Sequence, residues 1–257
     1  MTTVRVLIAV PFGLIFGSFL TVVVHRIPLK ESIVTGRSKC PACGRVIAAR
    51  DNIPVVSWLL LLGRCRNCGH RISPRYPLIE LATAGLFVGA ALAFDRTLVQ
   101  AMMAAFLAVM LALAIIDVQH RIIPNRITYP ALLTFGVVIG IGDLAGGGVN
   151  VVHALIGLGA YGGGLLVIAL ISPRGMGMGD VKLGALVGLV LGSLALSRVG
   201  VAAAMAILAG GVGAIVALAG GMSRKQALPF GPYLALGAVV ATFAGPQIAH
   251  GYLRLFS

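Results

Sequence analysis

Residues 97–116 read TLVQAMMAAFLAVMLALAII, twenty positions without a charge, and the next residue is Asp117. As a helix, twenty residues rise about 30 Å, the thickness of a bilayer's hydrocarbon core. The rest of the chain obeys the same reading. Of its 257 residues 59% are apolar and only 11% charged, against roughly 25% charged in an average soluble domain. So few ionic groups cannot clothe a water-soluble enzyme of this size, and so high an apolar content excludes disorder.

Working outward, seven more runs are candidate spans: 4–24, 77–94, 129–145, 150–171, 182–197, 199–220 and 231–253. The sequence therefore predicts an all-α polytopic membrane protein with about eight transmembrane helices. The first run is not a cleavable signal: it is apolar over about 19 residues, holds Pro11, and meets no small-residue cleavage site. It is expected to stay as an anchor. Repeats of the kind many transporters carry are not visible.

Cytoplasmic loops keep Lys and Arg, so the basic residues set the orientation. Ten of them fall in 26–76, and the loops around 117–128, 172–181 and 221–230 add Arg121, Arg126, Arg174, Lys182, Arg224 and Lys225. The opposite side has only Arg5, Arg96, Arg198 and Arg254. Sixteen against four places 26–76 in the cytoplasm and both termini outside. The net charge of +13 is then topological; no nucleic-acid partner is expected, and anionic membrane lipids are.

Glycines recur four apart, as Gly13/Gly17, Gly85/Gly89, Gly136/Gly140, Gly159/Gly163 and Gly184/Gly188/Gly192. Small residues on one helix face let backbones approach in lipid, and tight packing is the expected role of nearly all of them.

All four cysteines lie in the basic segment, in Cys40-Pro41-Ala42-Cys43-Gly44 and Cys65-Arg66-Asn67-Cys68-Gly69. Two such knuckles present four thiolates to one tetrahedral Zn²⁺, with the glycines allowing the turns. With no ligand position left open, the zinc would be structural. A disulfide pair is the alternative, disfavoured in a reducing cytosol. His70 is expected on the surface. Between the knuckles, 51–62 ends in an apolar stretch too short to span, suited to cover the module or to lie on the membrane surface.

The chain has only seven acids, and a carboxylate inside a bilayer costs several kcal/mol. Asp95 and Asp143 sit at helix ends, and Glu31 and Asp51 in the charged loop. Glu80 lies one turn into the second span, either paired with a basic group or part of a site. Asp117 and Asp180 share one depth at the cytoplasmic boundary, the second closing Gly175-Met176-Gly177-Met178-Gly179-Asp180. Two carboxyls held close share a proton; one then activates a water while the other polarises a peptide carbonyl. Gly177 and Gly179 would let an extended peptide backbone approach, beside Lys182. The competing reading makes Asp180 a helix N-cap and Asp117 an interfacial helix end.

Five motifs, in one order along nearly the whole chain, resemble the prepilin leader peptidases, membrane aspartic proteases of the GxGD type. They are Gly13 through Pro28; the knuckle module with Asp51-Asn52-Ile53-Pro54 and Arg75-Tyr76-Pro77-Leu78-Ile79-Glu80; Asp117 with Ile123-Pro124-Asn125; Gly177-Met178-Gly179-Asp180-Val181-Lys182; and Leu228-Pro229-Phe230-Gly231-Pro232-Tyr233. The resemblance implies a catalytic pair, Asp117 and Asp180. It also implies a bacterial inner-membrane enzyme that cleaves the short basic leaders of type IV prepilins or pseudopilins at the cytoplasmic face. N-methylation of the new amino terminus with S-adenosylmethionine is implied in the same way. The resulting division is a first span, 1–25, a cytoplasmic zinc module, 26–76, and a peptidase core, 77–257, with Glu80, Gly177, Gly179 and Lys182 available for substrate approach. Asn125 departs from the family, many of whose members carry Asp there. A cation-coupled transporter would want acids near mid-bilayer and duplicated halves. An inactive zinc-stabilised assembly scaffold would use its acids only as caps.

Overall fold

With no water in the bilayer core to satisfy backbone groups, each long apolar run must close its own hydrogen bonds as a helix. A computed structural model describes residues 2–172, 176–221 and 229–254. Arg174, Gly175, Arg224, Lys225 and Leu228, used above for orientation and motifs, lie outside the described residues. The helices are α1 (Thr2–Arg26), the single-turn α2 (Val56–Leu60), α3 (Arg75–Ala93), α4 (Thr97–His120), α5 (Asn125–Leu144), α6 (Val151–Gly157), α7 (Gly163–Ile171), α8 (Met178–Gly192), α9 (Leu196–Ala219) and α10 (Gly231–Arg254). A π-helical turn, Leu158–Gly162, joins α6 to α7. Among the described residues no strand forms, only two isolated bridges, Lys39 with Val46 and Arg64 with Arg71.

Among the described residues seven stretches are long and apolar enough to cross a membrane: α1, α3, α4, α5, the continuous Val151–Ile171, α9 and α10. The eighth, α8, has fifteen residues and is apolar throughout beyond Lys182. Val181, Leu183, Leu186, Val187, Val190 and Leu191 are all buried, because α5, α6, α7, α9 and α10 surround it. Burial on every side, not apolarity, marks this helix as facing protein rather than lipid. It also begins four residues before the span read at 182–197, which brings Asp180 into its first turn.

The chain divides into two compact units, Met1–Ala93 and Phe94–Ser257. The first unit includes α3, which is bound to α1. A Cβ at Gly17 would stand 2.6 Å from the Glu80 Cα, and one at Gly13 2.5 Å from the Ala84 Cα. Only glycine permits two backbones to lie that close.

In the second unit the same device seats α8. Gly188 lies directly on the Gly157 carbonyl, and a Cβ at Gly192 would meet the His153 carbonyl at 2.7 Å. The expectation of tight packing is corrected elsewhere: at Gly85, Gly136, Gly140, Gly159 and Gly163 nothing stands within 4 Å of a Cβ position. Glycine spacing marks a helix face but not what covers it. Asp143 behaves as a cap, its carboxyl accepting from the Val151 N–H at 3.2 Å at the start of α6.

Between α1 and α3 the basic segment is irregular, held by side chains. Arg26 donates to the carbonyls of Ser32, Thr35 and Gly36. Ser57 donates to the Arg50 carbonyl at 3.0 Å and accepts from the Ile53 N–H. The Trp58 indole donates to the Ile72 carbonyl at 3.1 Å. The apolar stretch covers little of the module, for Leu59, Leu60 and Leu62 point outward.

Candidate active site and metal centre

Asp117 stands in the last turn of α4, where the helix is stopped by Arg121 in the left-handed conformation (φ 54°, ψ 41°). The Arg121 N–H returns to the Asp117 carbonyl at 2.8 Å, an αL cap, and Pro124 follows close behind. The apolar face that buries α4 also buries this carboxyl, which is 5% exposed. Its Oδ2 accepts from the Gly231 N–H at 2.9 Å. Gly231 opens α10, so this N–H is one of the donors a helix start leaves free, at the positive end of the helix dipole.

Asp180 is the third residue of α8, with Gly177 at the N-cap in extended conformation. Its Oδ2 accepts from the Gly177 N–H at 3.3 Å, while its own N–H donates to the Gly177 carbonyl at 3.0 Å. Gly177 has no side chain to complete a reciprocal box, so the carboxyl supplies the only side-chain contact of the cap. The turn between α4 and α5 and the start of α8 are tied together by two contacts. Gly179 fits against Ile123, whose Cβ would be 3.0 Å from an added Cβ, and the Lys182 ammonium donates to the Asn125 Oδ1 at 2.9 Å. Two acids sixty-three positions apart thus share one end of the second unit.

The other sequence candidates divide between the two units. Lys182, besides its bond to Asn125, sits over the Tyr129 ring at 5.0 Å. Gly177 is exposed at the mouth of this region. Glu80 lies in the first unit, buried, its Oε2 accepting from the Val55 N–H at 2.7 Å. Gly231 and Asn125 were visible in motifs, but nothing in the sequence told which side chains they would meet.

The four cysteines come together in a cluster that could hold a metal ion. Their sulfur atoms all lie within 4.8 Å of one another, with Cys40 and Cys68 at 3.8 Å. Tetrahedral zinc with bonds of 2.3 Å requires sulfurs about 3.8 Å apart, so the cluster fits a Zn²⁺-sized ion. Both knuckles fold identically. Cys40 donates to Arg45 and Gly44 back to Cys40; Cys65 donates to His70 and Gly69 back to Cys65, all at 2.9 Å. Gly44 (φ 69°) and Gly69 (φ 71°) occupy the left-handed region each turn requires. The N–H groups of Cys43 and Ala42 draw the Cys40 thiol down to about 6. The His70 N–H also pulls on Cys68, but burial and the neighbouring thiols together push it up to about 11. His70 contributes only backbone. Beside the cluster Arg66 binds Asp51 through Nε and Nη2 at 2.7–3.0 Å, holding that carboxyl below its ordinary value.

Fold and sites together define a multi-pass helical membrane protein with a four-cysteine module and an acidic pair at one end of a separate helical unit. Two family models divide the chain in the same order: the bacterial Peptidase A24 N-terminal domain over residues 11–94 and the Type IV leader peptidase family over 104–218. A protein of Bacillus subtilis named prepilin leader peptidase/N-methyltransferase is 37% identical over 245 residues, covering 95% of this chain and 96% of its own. Proteins of the same name from Burkholderia pseudomallei and Aeromonas hydrophila are each 36% identical, with 95% of this chain and 87% and 92% of theirs covered. The chain belongs to the type IV leader peptidase family. No solved structure matches it.

Proposed function

We propose that this protein is a prepilin peptidase of the bacterial inner membrane, with Asp117 and Asp180 as its catalytic pair. The reading is supported by the placement of the two acids, Asp117 in the last turn of α4 and Asp180 in the first turn of α8, on two helices that both pack against α10, in a chain whose relatives bear that name. The substrate is a type IV prepilin or pseudopilin, its leader at the cytoplasmic face and its mature apolar helix still in the bilayer. One carboxylate removes a proton from a water held between the two acids; the other, protonated, donates to the scissile carbonyl. The attacking oxygen bonds to the carbonyl carbon, the C–N bond breaks, and the amine leaves with a proton from the pair. Termini outside and the basic segment in the cytoplasm complete the orientation.

The metal is zinc, held by Cys40, Cys43, Cys65 and Cys68; it supplies cross-linking, not chemistry, to a segment too small to fold alone. A second activity, N-methylation of the new amino terminus from S-adenosylmethionine, follows from the relatives' name. No residue is assigned to the donor.

The test uses purified protein and a prepilin in detergent. Asp117→Asn and Asp180→Asn are each expected to lower cleavage by about 10³-fold or more while leaving the fold intact, and the double variant no further, because the two act as one unit. Cleavage retained by either single variant overturns the pair. Cys40→Ser or Cys65→Ser should lower zinc content and thermal stability; unchanged zinc overturns the knuckle reading. The mass of the mature amino terminus, with and without the methyl donor, decides the second activity.

A further inference from the structure

Apart from the metal centre, the first unit contains a cleft of about 420 Å³ whose walls include Trp58, Leu62, Arg64, Arg71, Ser73 and Pro74. Arg64 and Arg71 are the two members of an antiparallel bridge, the arrangement in which like charges oppose each other directly and destabilise a pairing. Among the described residues neither has an acidic partner, Asp51 being engaged by Arg66. Two facing guanidiniums become favourable when an anion lies between them, and planar arginine matches phosphate oxygens two at a time. The Trp58 ring is fixed by its bond to the Ile72 carbonyl and by Gly63, where a Cβ would be 2.9 Å from the ring.

The surroundings say where that anion comes from. Pro74 immediately precedes α3, one of the membrane-crossing helices, so the cleft wall ends within about 7 Å of chain from the start of a span. The headgroup layer is roughly 5–8 Å thick on each side, which puts the cleft at its level. Beside it Leu60 is 77% and Leu62 83% exposed, next to a tryptophan, the residue that favours the membrane interface. A free phosphate would have no use for these leucines. S-adenosylmethionine offers one carboxylate, but its sulfonium and ammonium leave it net positive beside two arginines, and a basic leader peptide would be repelled outright.

We propose that this cleft binds the phosphate of an anionic phospholipid, with Arg64 and Arg71 on the phosphate, Trp58 at the interface, and Leu60 and Leu62 among the upper acyl carbons. The proposal does not rest on the peptidase reading, and its test reads lipid binding, not cleavage. Full-length protein in a neutral detergent is titrated with phosphatidylglycerol or phosphatidylcholine, and bound lipid is counted by native mass spectrometry. The wild type is expected to prefer phosphatidylglycerol. Arg64→Gln/Arg71→Gln should reduce that preference about thirtyfold, from two basic groups near an anionic surface, with zinc per chain unchanged. Arg64→Lys/Arg71→Lys should keep most of it. Should the glutamine pair lose zinc, Leu60→Ser/Leu62→Ser takes its place, with weaker retention of both lipids expected and the anionic preference kept. A preference undiminished in the glutamine variant, or by the serine pair unweakened retention, overturns the proposal. So does displacement of the lipid by inorganic phosphate or by a prepilin peptide at comparable concentration.

Discussion

The Asp117 carboxyl takes its hydrogen bond from the Gly231 N–H, 114 positions away, and a methyl group at Gly231 would lie 2.7 Å from the same oxygen. Helix α10 can therefore reach Asp117 only through a residue without a side chain. Alanine would force the carboxyl to move by several tenths of an ångström or the helix to retreat. Displacements near 1 Å at reacting groups cost about 10²-fold in rate. Gly231→Ala is thus expected to lower kcat for prepilin cleavage by about 10–10²-fold with KM little changed. Alanine is also the better helix former, so the melting temperature should not collapse. A full-rate variant would mean that the position of Asp117 does not depend on this contact.

Asn125 occupies a position where many family members carry Asp, and here its Oδ1 receives the Lys182 ammonium at 2.9 Å. Asn125→Asp turns that hydrogen bond into an ion pair at a partly exposed site. Such pairs contribute at most about 1 kcal/mol. The expected outcome is a small rise in thermal stability, screened by added salt, with cleavage unchanged. A loss of cleavage beyond about tenfold would show that the amide form itself is needed near Asp180.

Much of this was legible in the sequence. Span length alone located eight helices to within a few residues, and the Cys-x-x-Cys spacing pointed to the four-cysteine cluster, since both signals are local. Asp117 and Asp180 stood out because acids are so few. What could not be read were contacts decided by three-dimensional packing. The partner of Glu80, the approach of α10 to Asp117 and the π-helical turn at Leu158–Gly162 leave no periodic trace. Gly159 and Gly163 have the same spacing as Gly13 and Gly17 yet pack against nothing.

Glu80 has a structural task that its sequence position concealed. Its Oε2 accepts at 2.7 Å from the N–H of Val55, whose φ of 61° is a conformation that β-branched residues strongly avoid. The bond holds a strained turn at the entrance to α2, and strain of this kind costs about 1–3 kcal/mol. Glu80→Ala leaves the Val55 N–H without its acceptor, for an expected loss of about 1–3 kcal/mol in chemical denaturation. Glu80→Gln, which keeps an acceptor oxygen, should lose less. Adding Val55→Gly should recover part of the deficit by relieving the strain. KM for prepilin should stay level throughout. A raised KM at undiminished stability would instead make Glu80 a recognition group for the basic leader.

Asp51 and Arg66 provide a pH-dependent measure of the module. Hydrogen bonding to Arg66, and its charge, lower the Asp51 carboxyl below its ordinary value. A group depressed in the folded state stabilises it fully above the unfolded value of about 4, and the benefit disappears as pH falls through the folded value. Asp51→Asn removes that contribution without changing the side chain's size. The melting temperatures of wild type and variant should differ by a constant amount between about pH 5 and 7 and converge below about pH 4. High salt should narrow the gap at every pH, since the Arg66 side chain is 49% exposed. A gap that persists undiminished at about pH 3 would show that Asp51 supports the module through packing or its backbone rather than through its charge.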